Sequence, residues 1–92
     1  MSITIKLFAS LREALGEAEL QLEVGALPPE EVVDGAINVA AIKSVLSARG
    51  TNWSDAINQP NLVHALNHKV VYLDALVRDG DELALFPPMT GG

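Results

Sequence analysis

The 92-residue sequence contains no cysteine. That excludes disulfides, thiolate metal sites and a cysteine nucleophile, and it leaves the redox environment unspecified. Basic residues are scarce: six Lys and Arg stand against twelve Asp and Glu, a net charge of −6. DNA, RNA and anionic membranes all reward a basic surface, so none of them fits as the main partner. A basic face on another protein suits this charge better. No apolar run approaches the length of a membrane span, and the opening MSITIKLFAS places Lys6 inside a short alternating run rather than ahead of a long apolar one. It does not read as a signal peptide, and the expected location is the cytosol.

The common catalytic arrangements are missing too. No serine sits in a nucleophile elbow, and no glycine-rich phosphate loop follows a strand. His64 and His68 are four apart in a strand-and-turn pattern with no evident third ligand, so ordinary imidazoles are the simpler reading and no metal is expected. Glu30, Glu31 and Asp34 read as a solvated loop, because nothing apolar around them would raise a carboxyl into catalytic range. The folded body does not resemble a self-sufficient enzyme.

A hydrophobic share of 49% over this length supports one domain with a single core, too small to enclose a ligand cavity. Ile3, Ile5 and Leu7 alternate with Thr4, Lys6 and Phe8, which predicts a strand. Ser10 and Glu13 form a capping-box pattern for a short helix, SLREALG, stopped by Gly16. Leu20, Leu22 and Val24 predict a second strand, antiparallel to the first. Residues 25–37 read as an irregular acidic connection with one helical turn from Pro29. Asn38 then caps the most secure helix, with Val39, Ile42, Val45 and Leu46 as its stripe and Gly50 as its stop. TNWSDAI adds a turn or two, with Trp53 and Ile57 toward the core. From Leu62 the chain reads as strands, with turns at Asn67-His68 and Asp79-Gly80-Asp81. In the last strand Leu83 and Leu85 share one face, Ala84 and Phe86 the other, and Pro87-Pro88 end it. The order predicts an α+β layer, with one main helix across a mostly antiparallel sheet. The domain is expected over residues 1–88, with a flexible tail at 89–92.

That tail, MTGG, suggests a chemistry of its own. Two terminal glycines carry no Cβ and could thread a channel too narrow for any other residue. An α-carboxylate on such a tip is an unhindered electrophile once activated, for example as a mixed anhydride with AMP. The preceding prolines favour an extended exit and lower the entropy lost on insertion. By composition alone, a frayed terminus with incidental glycines explains the same residues.

Four stretches change that balance: IKLFASLREALG near the start, a hydrophobic helix, Ala65-Leu66-Asn67, and DGDELALFPPMTGG at the end. Together they resemble the small subunits of molybdopterin synthase, the ubiquitin-like sulfur carriers of molybdenum-cofactor synthesis. The resemblance implies a β-grasp fold. It also implies that Gly92 is adenylated by a ubiquitin-activating-type enzyme using ATP and Mg²⁺, no cofactor being held tightly by the carrier itself. The adenylate is then converted to a thiocarboxylate with sulfur from a persulfide donor protein. The tail, with Thr90 and Gly91 inserted alongside Gly92, delivers the sulfur to cyclic pyranopterin monophosphate in the large subunit, with which a heterotetramer is expected. The chain would thus be the sulfur-donating half of a sulfurtransferase. Phe8, Val70 and Phe86 fall where the family presents an apolar docking patch, and strand parity independently turns Phe8 and Phe86 away from their apolar neighbours. Filler between helix and sheet is the competing reading for these three. Arg12 and Glu13 match an Arg-Glu pair with a structural or interface role. Residues 25–37 are longer and more acidic than the family pattern suggests, and Met89 stands where a smaller residue is common.

Other readings stay open: a carrier for thiamine, cysteine or tungsten-cofactor synthesis, a ubiquitin-like modifier joined through Gly92 to lysine, or an interaction module with an inert tail.

Overall fold

The computed structural model describes residues 2–23, 25, 27 and 29–87. Strand β1 (Ser2–Leu7) buries Ile3, Ile5 and Leu7 and leaves the intervening residues partly open, as alternation requires. Helix α1 (Ser10–Leu15) follows directly and turns the chain back into β2 (Glu19–Glu23). The two strands pair antiparallel, with Ile5 opposite Leu20 and Ile3 opposite Leu22. Gly16, at φ 74°, closes α1 through its N–H to the Arg12 carbonyl at 2.9 Å. The expected Ser10 capping box does not form: Ser10 is the first helical residue, Ala9 is the cap, and no side chain bonds the open N–H groups. The sharp bend at Ala9, φ 51°, starts the helix one residue early and moves Ser10 out of capping position.

The 25–37 connection contains one 3₁₀ turn at Pro29–Glu31, where a helical turn was expected. It also contains something unexpected. Ala36–Asn38 forms a short strand, β3, antiparallel to β6 (Leu76–Arg78), with Ile37 opposite Val77. Helix α2 (Val39–Ser47) begins at Asn38, whose Oδ1 accepts the Ala41 N–H at 2.8 Å. Ala48 ends it, and Gly50 caps the following helix α3 (Thr51–Ile57), so that glycine separates two helices and does not simply stop one. Arg49 lies over the Trp53 ring at 4.5 Å and reaches Glu17 at 3.8 Å, linking this corner to the turn between α1 and β2.

Strands β4 (Val63–Leu66) and β5 (Lys69–Val71) form a two-residue hairpin. Its central residues, Asn67 and His68, have φ of 49° and 73°, the left-handed pair that matches strand twist. Strand β7 (Glu82–Phe86) runs parallel to β1 and antiparallel to β4, giving a mixed sheet of order β2-β1-β7-β4-β5. The core lies on one face only. Ile3, Ile5, Leu7, Leu83 and Leu85 of the sheet meet Val39, Ile42 and Leu46 of α2 and Ile57 of α3. Each such fully buried aliphatic side chain contributes about 1.5–3 kcal/mol.

Candidate functional site

Among the described residues no helix lies over the opposite sheet face, and its composition follows from register. Thr4 is paired with Glu82, and Lys6 with Ala84. Val63 is paired with Phe86, Ala65 with Ala84, and Val70 with Ala65. Paired residues share a face, so this outer face divides in two. Toward β2 it is polar. Lys6 bridges Glu82 at 3.3 Å and Glu19 at 4.0 Å, while Gln21 exchanges hydrogen bonds with Thr4 and accepts one from Ser2. Toward β5 it is apolar, built from Phe8, Phe86, Val63, Ala65, Ala84 and Val70.

The apolar half is ordered around one ring pair. Phe8 and Phe86 stack with centroids 4.6 Å apart and planes 10° apart. Phe8 N–H donates to the Leu85 carbonyl at 3.3 Å, which fixes the end of β1 beside the end of β7. Ala65 and Ala84 are nearly covered, at 9% and 6% exposure, because small side chains there stand below taller neighbours. Phe8 stays 37% exposed and Val70 64% exposed. Phe8, Val70 and Phe86 therefore lie on one face, away from the helices, and are not filler between helix and sheet. Phe8 and Phe86 are in contact; Val70 sits on the edge strand one pairing row away. Sequence reasoning put Ala84 on the Phe86 side of the last strand but missed Val63 and Ala65 as parts of the face, although the alternation in LVHALN carried the signal.

Position relative to the chain end gives the face its interest. β7 lies third in a five-stranded sheet, and its last residue, Phe86, is followed by Pro87, which has no N–H to continue pairing. The chain thus leaves the sheet at the stacked phenylalanines. Pro88, and the expected tail 89–92 with Thr90, Gly91 and Gly92, lie outside the described residues.

The Ala65-Leu66-Asn67 stretch has a structural task at the far end of β7. Asn67 donates from its backbone N–H to the Glu82 carbonyl at 2.9 Å, accepts the Glu82 N–H on Oδ1 at 3.0 Å, and donates from Nδ2 to Asp81 at 3.1 Å. The Asp79-Gly80 turn is tied to β1 in the same way, with Gly80 N–H on the Ser2 carbonyl at 2.8 Å. Arg12 and Glu13 are exposed on α1. His64 and His68 diverge. His64 turns into the core beside Leu85 at 7% exposure, whereas His68 projects from the hairpin turn and reaches Glu82 at 3.9 Å. Burial, and then the Lys43 ammonium, hold the His64 imidazole below its usual range, opposed by a hydrogen bond to the Val71 backbone. Burial likewise lowers Lys43. Among the described residues no cluster of three potential metal ligands occurs, and no helix is long and apolar enough to cross a membrane.

A mixed sheet of this order, with a helix laid across one face and its other face open, is the ubiquitin-like β-grasp fold. Solved structures agree: the crystal structure of SAMP1 from Haloferax volcanii superposes with a TM-score of 0.72 at 28% identity, over 100% of both chains. The chain belongs to the ThiS family, whose profile matches residues 5–92. Two curated relatives are named molybdopterin synthase sulfur carrier subunit. One, from Haemophilus influenzae, is 32% identical over 98% of this chain and 99% of its own length. The other, from Escherichia coli, is 34% identical over the same shares.

Proposed function

We propose that this protein is the sulfur carrier subunit of a molybdopterin synthase. The observation that carries the proposal is the near-full-length match to two relatives bearing that name, joined to an apolar face beside the point where the chain leaves its sheet. In this reading Gly92 is the working group. An ATP- and Mg²⁺-dependent activating enzyme converts its carboxylate to an acyl-adenylate. The outer sulfur of a persulfide donor displaces AMP to give an acyl disulfide, and a thiol reductant cleaves that S–S bond to leave the thiocarboxylate. The large subunit docks on the Phe8–Phe86 face with Val70 at its margin, and Thr90 and Gly91 accompany Gly92 into its active site, where sulfur passes to cyclic pyranopterin monophosphate. Aromatic rings exposed at the centre of a patch are the usual anchors of such contacts. Recharging between transfers requires a carrier that dissociates, which suits an open face of modest size. The site of action is the cytoplasm, and the assembly is a heterotetramer with the large subunit.

The test is reconstitution. The large subunit with thiocarboxylated chain should convert the cyclic precursor to the dithiolene product, and a chain lacking Gly92 should not. Product formation at equal rate without Gly92 would overturn the proposal.

The similarity to SAMP1 supports a second reading, since a solved structure at 26% identity is described as a small archaeal modifier protein. A modifier would leave Gly92 in isopeptide linkage to lysines of other proteins, and proteolytic mapping of such adducts separates the two.

A further inference from the structure

His64 is the only buried polar or charged side chain among the described residues, and its surroundings are unusual for an ionisable group. The ring hydrogen-bonds the Val71 backbone, while Nε2 is shut off from solvent with no partner. Neutral imidazole has a single N–H and can leave Nε2 bare. Protonation would add a second N–H at Nε2 with nothing to accept it, and a positive charge facing Lys43 of α2. Among the described residues no anion is placed to offset that charge from the packed side. β7 presents Leu85 and β5 presents Val71, with Lys69 further along the same face of β5; Asp74 lies in the loop beyond, across an open cleft.

That cleft and the strand beside it show where relief would come from. Leu62, His64, Val71 and Leu73 line an opening of about 720 Å³ at the margin of the sheet. β5 is the edge strand, three residues long, and β4 is its one neighbour in the sheet. Edge strands with few ladder bonds sit at the low end of local stability. We propose that His64 is a proton-sensitive latch: neutral, it holds β5 closed against the sheet, and protonated, it releases that edge and the part of the apolar face carrying Val70. The inference concerns the body of the fold and does not depend on what Gly92 carries.

The sign follows from linkage. The unfolded chain binds the proton more readily than the folded one, so this stability is fully present above the ordinary histidine value of about 6.5 and is lost as pH falls below it toward the folded value. The test is an NMR titration of the full chain with amide-exchange protection measured in parallel. His64 should titrate below about 6.5. Protection of the Val71 amide, which is in the β4–β5 ladder, should fall several-fold between about pH 7 and pH 5, while Ile5 on β1 keeps its own. H64Q should abolish that fall. Should H64Q not fold, K43M supplies the second check, because removing the facing ammonium should raise the His64 midpoint. A His64 midpoint at or above the ordinary value, unchanged protection at Val71, an undiminished fall in H64Q, or an unmoved midpoint in K43M would each overturn the latch.

Discussion

Replacing Phe86 with alanine separates a docking residue from a core residue by magnitude. A fully buried phenylalanine truncated to alanine costs about 3–5 kcal/mol. Phe86 is half-buried on the face that no helix covers. Half the transfer value of such a side chain is about 1 kcal/mol, and the lost stacking on Phe8 adds about 0.5–1 kcal/mol. F86A should therefore lose about 1–2 kcal/mol and remain folded. With a urea slope of about 1–3 kcal/mol per molar for a small domain, the unfolding midpoint should fall by about 1 M. Binding should suffer more. A central aromatic anchor is worth about 2 kcal/mol or more at an interface, so Kd for the large subunit, measured by calorimetric titration, should rise about 30-fold. Stability down by about 4 kcal/mol with Kd unchanged would mean that the ring serves the core and that the docking face has been misplaced.

Three local perturbations follow from backbone geometry and capping. A9G should raise the melting temperature by about 4–8 °C, because Ala9 holds φ 51° and ψ −127°, a region open to glycine, and relief of about 1 kcal/mol is expected; no gain would mean the bend is unstrained. N38A should cost about 1 kcal/mol in denaturant titration through loss of the Ala41 N–H bond at the start of α2. H68G should be neutral or slightly stabilising by the same assay, since His68 at φ 73° occupies the hairpin position that glycine fills without steric cost and its contact with Glu82 is exposed; a loss above about 1 kcal/mol would mean that contact matters more than surface pairs do.

Much of this architecture was legible because its signals are local. Alternation placed Ile3, Ile5 and Leu7 inside and Phe8 outside; Asn38 announced α2; Asn67-His68 and Asp79-Gly80 marked the turns. What escaped has non-local causes. Strand β3 is three residues long, too short for a period, and exists because Leu76–Arg78 arrives beside it from far along the chain. The parallel pairing of β1 with β7 is also set by topology, which no window of sequence contains. Ser10 failed as a cap because a backbone bend at Ala9 intervened, and a capping pattern cannot register a neighbour's φ. His64 looked like half of a spaced pair with His68, but the tight hairpin turns one into the core and the other to solvent. The apolar face was half legible: parity gave Phe8, and Ala84 with Phe86, while Ala65 carries too little side chain to advertise a surface.

The reading of Gly92 as an acyl carrier stands or falls on its conversion. The full chain would be incubated with its activating enzyme, ATP, Mg²⁺ and sulfide, and its intact mass recorded beside a chain lacking Gly92. A mass gain equal to the exchange of one oxygen for sulfur, mapped to Gly92 and absent from the truncated chain, is the expected result. An unchanged mass, under conditions where a sulfur carrier run as positive control is converted, would contradict the carrier role.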